Sequence, residues 1–128
     1  VIDKGMADYI VSFELLEAAR WTEYLKKDGK IIVNTQQINP MPVIIGAAEY
    51  PENLVEKMKA AGIDLDAIDA LSLAEQAGSP KAVNLVLMGK LSKYFDIPEE
   101  EWIKAIEESV PAKFLEMNKT AFALGANA

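Results

Sequence analysis

Short, largely apolar runs flank a longer amphipathic segment in the first third of the chain. Ala7 to Ser12 and Lys30 to Gln36 are rich in Val and Ile, which suits strands covered on both faces. Between them, Glu14 to about Lys26 puts Leu15, Ala18, Ala19, Thr22 and Leu25 on one stripe, the spacing of a helix packed on a sheet. This order predicts a βαβ unit with parallel strands. Lys26 and Lys27 would sit where the helix dipole favours cations, and Gly29 would take the left-handed position that stops the helix.

Beyond Gln36 the pattern loosens. The two prolines of Pro40-Met41-Pro42 predict extended chain through Gly46. Its apolar residues either pack on the sheet edge or form an interface arm. Pro51 to Ala61 reads as a helix with Pro51 in its first turn, Leu54, Val55, Met58 and Ala61 inward, and Gly62 at its end. Asp64 to Ala70 alternates acidic and apolar positions, the period of an edge strand with one wet face. Leu71 to Ala77 fits a short helical turn, and Ser79-Pro80 is a helix start. The following run, Ala82 to Leu91, is apolar on almost every side and predicts a buried helix. Gly89 within it costs about 1 kcal/mol against Ala, so the close approach of another backbone is expected there. Pro98 opens a helix with Trp102, Ile103 and Ile106 inward. Pro111 starts the last one, which Gly125 ends.

Composition narrows the chemistry. The 128 residues fit a single domain of roughly 100–150 residues, and no apolar run reaches the ~20 residues of a membrane helix. The first residues carry no apolar secretory stretch, so a cytoplasmic location is expected. A net charge of −7 argues against nucleic acid as a partner. Cysteine and histidine are both absent. Thiolate chemistry, cysteine-ligated iron–sulfur clusters and the usual neutral-pH acid/base therefore fall outside this chain. No catalytic residue and no metal ligand set can be picked out, which suits a chain that completes another subunit's site.

In open α/β sheets, ligands sit beyond the carboxyl ends of the strands. Those ends here are Ser12-Phe13-Glu14 and Asn34-Thr35-Gln36. Asn34, Thr35 and Gln36 are the candidate cofactor-binding residues, able to read carbonyls, amides or phosphate oxygens. The plainer reading is a strand end satisfying its own backbone. Glu14 and Glu17 share a helix face, and a solvated first turn explains them better than acid/base work does. Asp64, Asp66 and Asp69 lack a calcium loop's spacing and read as charges protecting an edge strand. Asn84 and Asn118, on apolar helices, read as satisfied core amides. The seven glycines lie too far apart for a dinucleotide fingerprint or a P-loop.

Several segments together carry a resemblance. They are Ala7-Asp8-Tyr9-Ile10-Val11-Ser12-Phe13-Glu14-Leu15-Leu16-Glu17-Ala18, Gly29-Lys30-Ile31-Ile32-Val33-Asn34-Thr35-Gln36, Pro40-Met41-Pro42, Gly78-Ser79-Pro80-Lys81-Ala82-Val83-Asn84 with Gly89, and Asn118-Lys119-Thr120-Ala121-Phe122-Ala123-Leu124-Gly125. In this order the chain resembles the gamma-type domain of 2-oxoacid:ferredoxin oxidoreductases, on the side of the indolepyruvate-type small subunits. The resemblance implies a three-layer, Rossmann-like α/β fold: a mostly parallel sheet flanked by helices, with a helical C-terminal part. The glycine-rich strand–loop–helix with which such domains open is not in this sequence. Residues 1–128 are therefore expected to be a single domain, the C-terminal portion of the family's unit.

The family reaction is oxidative decarboxylation of a 2-oxoacid to an acyl-CoA, with electrons passed to ferredoxin. The resemblance implies thiamine diphosphate and iron–sulfur clusters in a large partner subunit, coenzyme A at the assembled site, and no cofactor held by this chain alone. This chain would contribute structure and part of the CoA-facing wall and be inactive by itself; self-association of the piece is a further expectation. The competing reading is a non-catalytic ligand-binding or assembly module on an α/β scaffold.

Overall fold

A computed structural model describes residues 1–128 and shows two compact units, residues 1–67 and 68–128. The first holds β1 (Ala7–Ser12), α1 (Leu15–Arg20), β2 (Leu25–Asn34), the one-turn α2 (Met41–Ile44), α3 (Leu54–Ala60) and β3 (Asp64–Ile68, its last residue beyond the division). The second holds α4 (Ala70–Ala77), α5 (Val83–Ser92), α6 (Glu99–Ser109) and α7 (Leu115–Ala126).

The strands lie in the order β1-β2-β3 in a parallel sheet flanked by helices. Tyr9 to Ser12 register against Lys30 to Val33. The core of this unit joins Leu15 and Ala18 of α1, Ile31 and Val33 of β2, Leu54 and Met58 of α3, and Leu65 of β3. The expected α/β architecture with a helical C-terminal part is present.

The crossover is shorter than its periodicity suggests. The stripe from Leu15 to Leu25 continues through one six-residue helix, a 3-10 turn at Thr22–Tyr24, and the first residue of β2. Lys26 and Lys27 are therefore strand residues and close no helix, and Asp28-Gly29 is no helix stop. Between Ala7 and Tyr9 on β1 the partner position on β2 jumps from Leu25 to Lys30, and Asp28 takes a left-handed φ of 65° within that excursion. Gly29 is needed for space: a Cβ would stand 2.9 Å from the Lys26 carbonyl oxygen and 3.0 Å from that of Ala7. A bulge thus uses the glycine that the sequence suggests for a cap.

Two other local expectations are corrected. Pro40-Met41-Pro42 does not hold the chain extended. Pro42 lies in the first turn of α2, where its missing N–H would have had no intrahelical partner in any case. Pro51 precedes the helix it was expected to start, and Asn53 is the N-cap of α3 with φ 56°. At the other end Gly62, at φ 87°, does follow the helix as expected, but Ala61 is the exposed C-cap and does not face inward.

In the second unit α4 and α5 pack against α7. α5 is buried through Val83, Val86, Leu87 and Gly89, and α7 through Ala121, Phe122 and Gly125. The close approach expected at Gly89 comes from this chain: a Cβ there would collide with the Phe122 carbonyl oxygen and stand 2.9 Å from the Ala126 nitrogen. Gly125 makes the reciprocal approach to the Val86 backbone. It lies inside α7, so it packs the helix and does not end it. Asn84 is exposed and no core amide, and Asn118 Nδ2 donates to the Phe114 carbonyl at 2.8 Å on its own helix. Asp69 is the N-cap of α4, accepting from the backbone N–H and hydroxyl of Ser72 at 3.1 and 2.7 Å. It therefore starts a helix and protects no edge strand.

Candidate functional site

The carboxyl ends of β1 and β2 are tied into one braced corner. Asn34, the last residue of β2, is fully buried, and its Nδ2 donates to the Phe13 carbonyl and to Gln36 Oε1, each at 3.1 Å. The Leu15 N–H donates to the Gln36 carbonyl at 3.1 Å. Ser12 is buried, with its Oγ donating to the Glu14 carbonyl at 2.8 Å. Thr35 and Gln36 remain half-buried.

Asn34 is therefore the brace that fixes the loop after β1 against the loop after β2. Thr35 and Gln36 are the members of the predicted trio with side-chain surface left to offer. A buried amide that holds two loops is the satisfied state expected of a polar group in a core, and it presents the neighbouring residues in a set position.

Glu14 anchors the same corner, and here the sequence reading is overturned. It is 6% exposed and no solvated first-turn charge. Its backbone is extended, and its carboxylate caps α1 by accepting from the Glu17 N–H at 2.8 Å. The same carboxylate accepts from the Ile38 N–H at 3.2 Å and, in a short hydrogen bond, from the Tyr50 hydroxyl. The Tyr50 oxygen in turn accepts from the Leu16 N–H at 3.0 Å. Burial pushes the Glu14 carboxyl up, but the hydrogen bonds from Tyr50, Glu17 and Ile38 outweigh it and leave the group below its usual value. Burial and the adjacent Glu14 carboxylate raise the Tyr50 phenol to about 12.

Glu17, by contrast, is exposed and pairs with Arg20 on its own helix. The two glutamates thus do not act as a pair. A glutamate three residues before the Glu17 N–H has capping spacing. Tyr50, distant in sequence, gives no local signal at all.

The corner is flanked by apolar surface. Phe13 and Trp21 are both 51% exposed and, with Val11 and Glu17, help bound a cleft of about 300 Å³. Beyond Gln36, Ile38, Met41, Ile44 and Ile45 are between 56% and 69% exposed. The connection therefore does not pack its apolar residues on the sheet edge. At the opposite, amino end of the sheet a cleft of about 380 Å³ is polar. Its walls hold the Lys26–Asp8 and Lys30–Asp64 ion pairs, at 3.2 and 3.0 Å, so those cations are already matched within the chain.

No group of three or more His, Cys, Asp or Glu side chains is placed to hold a metal ion, and no helix is long and apolar enough to cross a membrane. With no cysteine in the sequence, the donor set does not fit an iron–sulfur cluster.

Comparison with known proteins gives a consistent picture. A family model described as pyruvate ferredoxin/flavodoxin oxidoreductase matches residues 1–128. The indolepyruvate oxidoreductase subunit IorB of Thermococcus kodakarensis is 40% identical over 134 residues, which take in 100% of this chain and 66% of that protein. The IorB subunit of Archaeoglobus fulgidus is 33% identical over 131 residues, 99% of this chain and 65% of the relative. The chain thus spans about two thirds of the length of these relatives.

Among solved structures, the gamma subunit of a keto/oxoacid ferredoxin oxidoreductase from Geobacter sulfurreducens superposes with a TM-score of 0.69 at 20% identity, covering 99% of this chain and 66% of that one. Subunit PORC of the Thermotoga maritima pyruvate oxidoreductase gives 0.63 at 22% identity, over 96% and 64%. At those identities the two structures speak to the fold alone.

Proposed function

The chain belongs to the pyruvate ferredoxin/flavodoxin oxidoreductase family, and from that premise we propose that it serves as the small-subunit component of a CoA-dependent 2-oxoacid:ferredoxin oxidoreductase. The observation that carries the reading is the family match across all 128 residues. Likeness to two indolepyruvate oxidoreductase subunits favours indolepyruvate or another aryl pyruvate as the substrate of the assembly. The reaction would be oxidative decarboxylation to the acyl-CoA with electrons delivered to ferredoxin.

Within that assembly the chain's part is structural. On this reading thiamine diphosphate and the iron–sulfur clusters are carried by a large partner subunit, as the family resemblance implies, and the absence of cysteine from this sequence agrees with that for the clusters. The Asn34–Gln36 corner is assigned to the CoA-facing wall: Thr35 and Gln36 offer hydrogen-bonding groups, and Asn34 holds them through its bonds to Phe13 and Gln36. The exposed apolar turn of Ile38, Met41, Ile44 and Ile45 is assigned to the contact with the large subunit. Apolar surface of that kind marks association.

The test is co-expression of the protein with the thiamine-dependent large subunit of its own source, followed by size-exclusion chromatography and a dye-reduction assay. Co-elution with aryl-pyruvate- and CoA-dependent reduction is expected. Failure to co-elute when all chains are folded, by this chain and by one extended at its N-terminus, would remove the subunit reading and leave a free-standing ligand-binding module.

A further inference from the structure

CoA has a phosphate-bearing nucleotide and an uncharged pantetheine arm of amides and a thiol. Which of them the Asn34–Gln36 corner reads depends on what its hydrogen-bonding groups have left to offer. Where a strand leads into a helix, free backbone N–H groups at the helix start ordinarily serve phosphates. Here that start is closed from within. The Leu15 N–H donates to the Gln36 carbonyl at 3.1 Å, the Leu16 N–H to the Tyr50 hydroxyl at 3.0 Å, and the Glu17 N–H to the Glu14 carboxylate at 2.8 Å. The donors of the first turn of α1 are thus all taken up by the chain itself.

The charges at the corner also oppose an anion. Despite burial, hydrogen bonds from Tyr50, Glu17 and Ile38 keep the Glu14 carboxyl below its usual value, so it is ionised at neutral pH. That carboxylate accepts from the Ile38 N–H at 3.2 Å, two residues beyond Gln36. Arg20 of α1 is paired with Glu17. Lys26 and Lys30 stand at the other end of the sheet, paired with Asp8 and Asp64. A phosphate at Thr35 and Gln36 would meet the Glu14 charge and none of these cations, and like charges brought together weaken binding.

What the corner does offer is neutral. Asn34 Nδ2 donates to Gln36 Oε1 at 3.1 Å, so the Gln36 amide is held by its oxygen and keeps its Nε2 donors. Half-buried Thr35 adds a hydroxyl, a donor and an acceptor at once. Amide groups pair with both without bringing charge. Resting on the assignment of this corner to the CoA-facing wall, we infer that Thr35 and Gln36 bind the amide-bearing pantetheine arm of CoA and leave its phosphates to other parts of the assembly.

The test uses the complex with the large subunit and measures dissociation constants by calorimetry. The ligands are CoA, pantetheine, and 3′-phospho-ADP, which carries the phosphates without the arm. Co-elution of each variant with the large subunit shows that it is folded. Thr35→Ala and Gln36→Ala should each weaken CoA and pantetheine by the same factor, roughly three- to tenfold, and leave 3′-phospho-ADP unchanged. Gln36→Lys adds a cation, which would tighten CoA and 3′-phospho-ADP if phosphates sat here; weaker CoA and pantetheine are expected instead. Tighter binding by Gln36→Lys, a loss that spares pantetheine, or unchanged constants for every ligand would overturn the inference and leave the subunit reading intact. So would a wild-type complex that binds CoA but no pantetheine at millimolar concentration. A wild-type complex that does not assemble, or binds no CoA, would remove the subunit reading and the inference with it.

Discussion

Glu14 and Tyr50 show how much one buried hydrogen-bonded pair can organise. The Glu14 carboxylate holds the start of α1, the backbone at Ile38 and the Tyr50 hydroxyl at once. Its folded-state value is lowered from 4.5, so the ionised form favours the fold. That stability is fully present above about 4.5 and is lost as pH falls through the folded value. Denaturation midpoints measured down the acid range should fall along this limb, and Glu14→Gln should flatten it. Tyr50 works in the opposite direction. With its folded value raised from 10.0 to about 12, the neutral phenol favours the fold below pH 10, and this contribution is lost as pH rises through about 12. Phenolate absorbance should show a step near pH 12 that Tyr50→Phe removes. Tyr50→Phe removes a donor to a buried carboxylate and an acceptor for the Leu16 N–H, at an expected cost of about 1–3 kcal/mol. An unchanged unfolding free energy in that variant would show the corner to be held by other contacts.

At the scale of elements, legibility followed locality. The second half of β2 was visible because its burial is written in consecutive residues, Ile31 to Asn34, whereas β1, expected to be covered on both faces, is buried only at Ala7 and Ser12, and α5, expected to be buried on almost every side, is buried along one face. The length of α1 was not visible either, because the stripe from Leu15 to Leu25 serves a helix, a 3-10 turn and a strand in turn. Periodicity records which residues face the core, and here the core-facing set outlasts the helix. Gly29 and Gly125 were misread for a related reason: sequence marks a glycine, but only the fold says whether conformation or space requires it. Gly89 was read correctly because its apolar setting left close approach as the sufficient cause. Asn34, Thr35 and Gln36 were legible as a polar strand end, whereas their division into one brace and two half-exposed groups depends on the Phe13 carbonyl, set by another strand. Gly89→Ala and Gly125→Ala should each destabilise the protein by about 1–3 kcal/mol or more, because the groups a Cβ would meet are backbone and cannot rotate away. Chemical denaturation of each variant checks this. A wild-type midpoint would mean that α5 and α7 separate without cost.

For the whole molecule, the apolar surface of the first unit sets the problem. Ile38, Met41, Ile44 and Ile45 form a run on and around α2 that stays more than half exposed, although apolar residues so close in sequence would ordinarily be turned inward. The Glu14 carboxylate holds the Ile38 N–H at the start of this run, so the segment is presented from a fixed base. Ordered apolar surface contributes more to association than a flexible segment of the same composition, because less conformational freedom is lost on binding. Ile44→Asp leaves the cores of both units untouched and should not lower the thermal midpoint. In the proposed complex with a large subunit it should weaken association by at least about tenfold, since a charge would be buried in an apolar contact. Glu14→Gln, acting on the base of the segment, should weaken it less. If Ile44→Asp assembles with wild-type affinity, the turn is not the contact, and the apolar cleft beside Phe13 and Trp21 becomes the surface to substitute next.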